Sequence, residues 1–352
     1  MRLSLDFRGT VIVAILGVLF MLIAPSLFSK VTIIKLNVPI ALALLALSLA
    51  LVWGYGGILC FGQTAFFGLG AYAYSIAALN FGGSTGAILV AILVAAAAAA
   101  ILGYVVFYGR VSDVYLAVIT LTVTLILYSL MRRTSGPDYK IGDALLGGFN
   151  GIKSPKLNLP WDHTDTLNRL ELFYPSIVAL ILAYLLCGWL VRTHFGRVCE
   201  SIRENELRAE LIGYDTRLYK LGIFTIGAAL AGLAGVLFCI GVTRVTPDVF
   251  NLYTASLTII WVIVGGRGTL IGPILGAFGL YYLTEWLGKT ASLNNNLILG
   301  IVLIVFVLGV PKGVVPTITD WIQQRRGTRS MRATERRMRM RRARAVSEEP
   351  GE

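Results

Sequence analysis

The sequence has little charge and few of the side chains that perform acid–base or metal chemistry. Charged residues make up 14% of its 352 residues and mean hydropathy is +0.76, whereas a typical soluble protein has about 25% charged residues. It contains two histidines and four cysteines. The cysteines lack metal-ligand spacing, so we predict buried thiols, no metal site and no catalytic residue. This composition excludes an ordinary water-soluble globule and favours a helical membrane protein.

Long apolar runs predict an all-α, polytopic fold with about ten transmembrane helices, because about 20 apolar residues cross a bilayer. The predicted spans are 10–28, 36–53, 63–80, 86–107, 113–131, 172–191, 218–240, 254–265, 273–288 and 296–311. The eighth is short and precedes glycine-rich sequence, which indicates a broken helix. The first follows Arg2 and Arg8, so a cleaved signal peptide is the alternative to a retained span.

The distribution of basic residues predicts that both termini lie in the cytoplasm. Half of the net charge of +12 lies in the last 42 residues, and basic residues are also dense at 192–217, as expected for cytoplasmic segments. Lys30 and Lys35 oppose this orientation, since they fall in the first predicted outside loop. The tail, 316–352, is predicted to be disordered and to touch anionic membrane lipid. Nothing aromatic or folded accompanies the arginine-rich stretch at 325–344, so no nucleic-acid partner is expected.

Glycine interrupts two segments at membrane depth. Irregular backbone there must be buried in protein or line a wet cavity, and paired discontinuities indicate a translocation path, although ordinary turns explain either one alone. The broken-helix glycines are Gly54, Gly56, Gly57, Gly265, Gly266, Gly268 and Gly272. Polar candidates along the path are Gln63, Thr64, Thr120, Thr124 and Glu285; for the first four, hydrogen bonds between helices are the competing interpretation.

The segment 192–217 differs from the other connections. From Arg192 to Lys220 the chain has six basic and five acidic residues and no proline. Helix-forming residues predict a short amphipathic helix from Arg197 to Ile212 that stops at Gly213. Its dense mixed charge favours docking into a soluble partner over lying on lipid.

Four blocks of this sequence resemble one transport family. Glu206-x-x-Ala209-x-x-x-Gly213 resembles the cytoplasmic coupling motif of ABC importer permeases. Three more blocks are similar to the permeases of branched-chain amino-acid importers: 54–66 (GYGGILCFGQTAF), 147–152 (GGFNGI) and 264–273 (VGGRGTLIGP). The resemblance runs from about residue 36 to 315. The loop at 132–171 and the charge of the tail are less typical.

The resemblance implies a permease domain at 1–315 in a bacterial cytoplasmic membrane, with a periplasmic loop at 132–171. Its partners would be a second homologous permease, two ATPases that bind ATP and Mg²⁺, and an extracytoplasmic solute-binding protein. This chain lacks a G-x-x-x-x-G-K-[ST] loop and would bind no cofactor. Coupling to the ATPases would involve Arg203, Glu206, Ala209 and Gly213. The external loop residues Gly147, Gly148, Asn150 and Gly151 would serve docking or the outer gate.

The sequence leaves alternatives open for the cargo and for the energy source of transport. The family divides among branched-chain or other amino acids, urea and short amides, and related members move sugars. An ATP-independent secondary carrier or channel is the alternative function, and a non-transporting scaffold is a further one. Glu285 is the one good ionisable candidate within the predicted spans, which argues against a self-powered carrier because such carriers need several relay groups.

Overall fold

The computed structural model describes residues 7–158, 166–290, 300, 304 and 313–319, and it confirms the all-α fold. The helices are α1 (Phe7–Leu27), α2 (Lys30–Leu49), α3 (Gln63–Phe81), α4 (Ser84–Tyr108), α5 (Asp113–Arg133), α6 (Phe173–Arg192), α7 (His194–Glu204), α8 (Glu206–Leu211), α9 (Thr216–Gly241), α10 (Leu252–Gly265) and α11 (Ile271–Thr290). Apart from residues 300 and 304, the predicted span at 296–311 lies outside the described residues, as does the tail beyond 319.

Six helices in the described part of the chain are long and apolar enough to cross a membrane. They are Gly9–Leu27, Lys30–Tyr55, Ser84–Tyr108, Val114–Arg133, Phe173–Arg192 and Thr216–Gly241. The predicted short eighth segment is α10, a helix of 14 residues. The chain is therefore a multi-pass membrane protein.

Helix α2 begins earlier than its apolar run predicts. Ser29 caps it, because its hydroxyl accepts a hydrogen bond from the backbone N–H of Thr32. Lys30 and Lys35 therefore lie in the first turns of α2, and the prediction that they belong to a loop was wrong. At its other end α2 continues into a π-helical turn, Ala50–Tyr55.

Small residues bring the central helices close together. In α4, Ala91, Ala95 and Ala99 are fully buried and stand four residues apart, so they share one face of the helix. That face packs on α9, where Gly232 lies against Ala95. Helix α3 approaches α9 as closely, because Gly235 lies directly on the backbone of Phe67. Such contacts supply packing energy where lipid removes the hydrophobic driving force between helices.

The bundle has two distinct ends. Helices α7 and α8 lie at one end, here called the coupling end. Helix α6 has 20 residues, or about 30 Å, and separates them from the loop at 134–171 at the far end. In this loop β1 (Lys140–Ile141) pairs antiparallel with β2 (Ala144–Leu145). Strand β3 (Ile152–Lys153) pairs antiparallel with β4 (Arg244–Val245), which joins the loop to the segment after α9.

Candidate functional site

The charged segment at the coupling end forms two helices rather than the single helix predicted from Arg197 to Ile212. Helix α7 ends at Glu204 and α8 begins at Glu206. Asn205 between them is extended, and its side chain accepts a hydrogen bond from the backbone N–H of Arg208 at 2.9 Å. Because asparagine is a strong helix cap, this residue both ends the first helix and starts the second.

One face of this pair of helices is buried. Val198, Ile202 and Ala209 form a small apolar cluster, against which Tyr214 and Tyr219 pack. Ala209 is completely buried. A larger side chain at 209 would force α8 away from α7, so the alanine of the motif has a packing role.

The other face exposes large apolar side chains among the charges. Leu207, Leu211 and Ile212 are 66%, 79% and 74% exposed. Apolar side chains grouped on a surface rimmed by charge are typical of a contact site for another protein. We call these three residues the apolar edge of α8.

Glu206 and Gly213 shape the segment from within. The carboxylate of Glu206 accepts a hydrogen bond from the ammonium group of Lys220 at 2.7 Å, which fastens α8 to the first turns of α9. Gly213 has a φ of +102°, a conformation that residues with side chains rarely adopt. The space where its side chain would lie is empty, so the requirement for glycine is conformational.

Arg203 connects α7 to the first glycine-rich break. Its guanidinium group donates a hydrogen bond to the backbone carbonyl of Gly54, at the end of the π-helical turn. The carboxylates of Glu200 and Glu204 each lie 3.7 Å from the same guanidinium group. Gly57, with a φ of +74°, lies directly against the Arg203 side chain.

The two glycine-rich breaks lie against each other. Gly54 packs on the backbone carbonyl of Arg267, and the Tyr55 hydroxyl donates to the carbonyl of Gly268 at 3.4 Å. The guanidinium group of Arg267 lies over the ring of Trp53, 5.2 Å from its centroid. Burial of the Arg267 guanidinium group lowers its pKa, and the nearby positive charge of Arg203 lowers this pKa further. Arg203, the first break and the second break therefore form one contact chain at the coupling end.

The remaining glycines of the breaks allow close backbone packing. Gly56 lies against Ile223 of α9. Gly265, the last residue of α10, packs on the backbone of Gly272 in the first turn of α11. Gly266 has a φ of +114° and makes the turn between these helices. The second break is thus a tight junction between a short helix and the next span.

Gln63 lies where α2, α3 and α9 meet. Its side-chain amide donates to the hydroxyl of Ser48 at 3.0 Å and to the carbonyl of Gly227 at 3.1 Å. The neighbouring Thr64 is fully buried, and its hydroxyl has no hydrogen-bond partner in the part of the chain that the structure describes. Gln63 of α3 therefore forms hydrogen bonds to both α2 and α9, as the competing interpretation expects.

Thr120 and Thr124 lie on α5 and bond within that helix. Their hydroxyls donate to the carbonyls of Ala117 at 3.0 Å and of Thr120 at 2.8 Å. Thr120 also packs against Gly62, beside Gln63. The structure thus brings Gln63 and Thr120 close together in the bundle.

Glu285 lies apart from this group, in a cavity in the far half of the bundle. The cavity has a volume of about 520 Å³ and lies among α2, α3, α9, α10, α11 and the 3₁₀ turn Pro247–Phe250. One carboxylate oxygen of Glu285 is 3.7 Å from the ammonium group of Lys35. The polar residues that line the cavity are Thr246, Asp248, Tyr253, Thr254, Thr284 and Glu285.

The predicted external-loop residues form a tight turn at the far end. Gly148–Asn150 is a 3₁₀ turn, and Gly147 before it has a φ of +72°. Gly151 follows the turn and lies directly against Val245 of β4. Phe149 is 65% exposed, and the guanidinium group of Arg132 lies 5.3 Å from its ring centroid. The turn therefore presents an aromatic side chain at the far end.

Comparison with known proteins decides the family. The family described as "Branched-chain amino acid transport system / permease component" matches residues 31–308. This chain belongs to that family. The permease is 27% identical over 320 residues to the high-affinity branched-chain amino acid transport system permease protein LivM of Escherichia coli strain K12, which covers 86% of this chain and 74% of the relative.

Other relatives are similar at the same level or over a shorter length. LivM of Salmonella typhimurium is 28% identical over 301 residues, 81% of the permease and 70% of the relative. The autoinducer 2 import system permease protein LsrC of Salmonella typhi is 32% identical over 111 residues, 30% of the permease and 31% of the relative. No solved structure matches the permease significantly. The family match confirms the permease class and the function of an ABC importer membrane subunit, and it does not favour the secondary carrier.

Sequence reasoning missed two parts of the site. Asp248 lines the cavity with Glu285, but it lies in a short connection with no span-like pattern. The sequence Thr246-Pro247-Asp248 between two apolar runs was the available signal, since proline followed by an acidic residue is typical of a helical first turn. The second is Lys220, the partner of Glu206, which lies 14 residues further along the chain in α9 and carries no sequence signal of this contact.

Proposed function

We propose that this permease moves branched-chain amino acids into bacteria across the cytoplasmic membrane, by alternating access powered by two partner ATPases. A second homologous permease would complete the path, and a solute-binding protein would deliver cargo to the far end. The observation that carries the proposal is the contact chain from α7 through Arg203 to both glycine-rich breaks. Through these contacts, a displacement of α7 would be transmitted directly to the irregular backbone of two spans.

The proposed orientation puts the coupling end and both termini in the cytoplasm. The segment from Arg192 to Lys220 contributes six basic residues to this end, and Arg267 lies there as well. Basic residues concentrate on the cytoplasmic side of membrane proteins. This orientation supports contact with ATPases, which have their nucleotide in the cytoplasm.

The apolar edge of α8 is the proposed contact with an ATPase. Leu207, Leu211 and Ile212 are exposed, whereas Ile202 and Ala209 are buried. A helix that offers a few apolar side chains within a charged rim fits a groove on a soluble partner. When the ATPase moves, its groove would carry α8 with it. The Glu206–Lys220 ion pair would transmit this movement to α9.

Alternating access requires an element with two arrangements. The glycine-rich breaks supply it in this proposal, because a few residues at the ends of regular helices can absorb large changes in φ and ψ. Arg203 would make α7 and the first break move together, and the contact of Gly54 with Arg267 would carry the movement to the second break.

Reconstitution into lipid vesicles tests this function. We expect vesicles that contain the permease, its partner permease, two ATPases and the binding protein to accumulate leucine only when ATP is supplied on the ATPase side. Uptake by this chain without the ATPases and without ATP would contradict the proposal and support a secondary carrier or channel. A complex that hydrolyses ATP but accumulates other cargo would contradict the proposed cargo class.

Removal of the apolar edge should weaken the contact with the ATPase. We expect the double substitution Leu207→Ser and Leu211→Ser to lower the affinity for the ATPase at least about tenfold, because fully burying a leucine side chain contributes about 1.5–3 kcal/mol. The measurement is co-purification and titration of the ATPase with the permease in nanodiscs.

The matched control is Ile141→Ser, which removes an exposed apolar side chain, 51% accessible, at the far end. It should leave ATPase affinity unchanged. Equal affinities for the wild type and the double variant would show that α8 does not hold the ATPase.

A further inference from the structure

The cavity that holds Glu285 is lined by two chemically different sets of side chains. Leu42, Phe238, Leu257 and Trp261 belong to the apolar set. The other set is polar and includes the carboxylates of Asp248 and Glu285. A volume of about 520 Å³ lies in the range of small-molecule sites, about 300–1,000 Å³. A ligand that suits it has an apolar part and a charged part.

The position of the cavity suits entry from the far end. Glu285 stands fourteen residues after the start of α11, or about 21 Å along the helix axis from the second break. Asp248 belongs to the 3₁₀ turn that follows β4 at the far end. The cavity therefore lies between the external loop and the breaks, where a molecule delivered from outside would arrive first.

The two carboxylates in the cavity lining favour a ligand that carries a positive charge. The side-chain carboxylate of Asp248 accepts a hydrogen bond from the hydroxyl of Thr246 at 3.1 Å. The Lys35 ammonium group near Glu285 is 58% exposed and 3.7 Å distant, so solvent screens this pair. Carboxylates bind ammonium groups through charge-assisted hydrogen bonds, which are stronger than neutral ones.

We propose that this cavity binds the cargo as an α-amino acid with an aliphatic side chain. The carboxylates of Asp248 and Glu285 hold the ammonium group, and the aliphatic chain lies against Leu42, Leu257 and Trp261. This inference rests on the proposed function, because it names the residues that receive an amino acid from the binding protein.

The test measures occupancy of the cavity in the complete importer in lipid vesicles. A Leu257→Cys substitution places a thiol in the cavity wall, and a cationic methanethiosulfonate reagent labels it from outside. Background labelling should be low because the four native cysteines are buried, and burial raises the pKa of the Cys199 thiol to about 12. We expect millimolar leucine to slow labelling at least about tenfold, because the reagent reaches only the empty cavity and tenfold slowing corresponds to about 90% occupancy.

Two comparisons separate ammonium recognition from simple filling of the cavity. 4-Methylpentanoate has the side chain and carboxylate of leucine without its ammonium group, and it should not slow labelling. Asp248→Asn and Glu285→Gln should each remove the protection by leucine, whereas Lys30→Gln, which removes an exposed charge at the start of α2, should keep it.

Several results would overturn the inference. Equal protection by 4-methylpentanoate would indicate an apolar or lipid site, and protection that survives both carboxylate substitutions would remove their role. Loss of protection in Lys30→Gln as in Glu285→Gln would show that a change in net charge, rather than contact with the carboxylates, abolishes protection. Leucine uptake without protection would reject this site alone, whereas absence of ATP-dependent leucine uptake would reject the proposed function.

Discussion

Replacing Arg203 by methionine is expected to lower leucine uptake by the reconstituted importer at least about tenfold, because a hydrogen bond from a charged donor to a buried carbonyl is lost. Methionine keeps much of the aliphatic length but cannot donate to the carbonyl of Gly54. Helix α7 then no longer holds the first break. ATP hydrolysis should continue while transport falls, so the ratio of leucine moved to ATP consumed is the quantity to measure.

Arg197→Met is the matched control, because Arg197 is an exposed arginine on the same helix. Exposed substitutions change free energies by about 0.5 kcal/mol or less, so transport should stay within about twofold of the wild type. Equal losses in the two variants would indicate that α7 acts only through its positive charge. An Arg203→Met importer with an unchanged transport-to-ATP ratio would remove the proposed link.

Replacing Gly54 by alanine should disable the permease through a steric conflict between the two breaks. The added methyl group would overlap the backbone carbonyl of Arg267, and backbone cannot move aside as a flexible side chain can. Overpacking of this kind costs about 1–3 kcal/mol or more. We expect a lower melting temperature in detergent and loss of leucine uptake, with membrane insertion retained.

Gly279→Ala makes the same chemical change where space is open. No atom lies near the position of its side chain, and the residue is exposed on α11. Alanine in a helix is more favourable than glycine by about 1 kcal/mol, so the melting temperature should be equal or higher. Normal uptake and stability of the Gly54→Ala permease would show that the breaks do not touch.

The spans and the breaks could be predicted because each depends on local composition. Apolar runs place the helices within a few residues, and clustered glycines mark Gly54–Gly57 and Gly265–Gly268 as irregular backbone. The contact of Gly54 with Arg267 could not be predicted, since it joins residues more than two hundred positions apart. No periodicity or propensity carries information about such a pairing.

The coupling segment shows where local reasoning stops being sufficient. Helix-forming residues on both sides of Asn205 predict one continuous helix, but a single capping side chain divides it. Ala209 stands seven residues after Ile202 and Leu211 nine, so helical periodicity continued across the break already places Ala209 on the buried face and Leu211 on the exposed one. The helix propensities do not show that the backbone is interrupted at Asn205 and that α8 begins there.

The cavity was the least predictable part of the candidate site. Glu285 is a candidate from the sequence because a carboxylate is rare in an apolar run. Asp248 lies in a short connection, where the sequence does not distinguish it from an ordinary turn residue. The tertiary arrangement of α10, α11 and the turn Pro247–Phe250 places both carboxylates at one cavity. Side chains that meet through tertiary folding leave no signature in either segment alone.

The peripheral position of α1 has a consequence for protein engineering. Only 17% of its most apolar stretch is buried, it packs chiefly on α6, and the matched family region begins after it, at residue 31. Most of the buried apolar core therefore lies from α2 onward. A fluorescent reporter or affinity handle fused ahead of α1 would perturb a helix that has few contacts with the bundle outside α6.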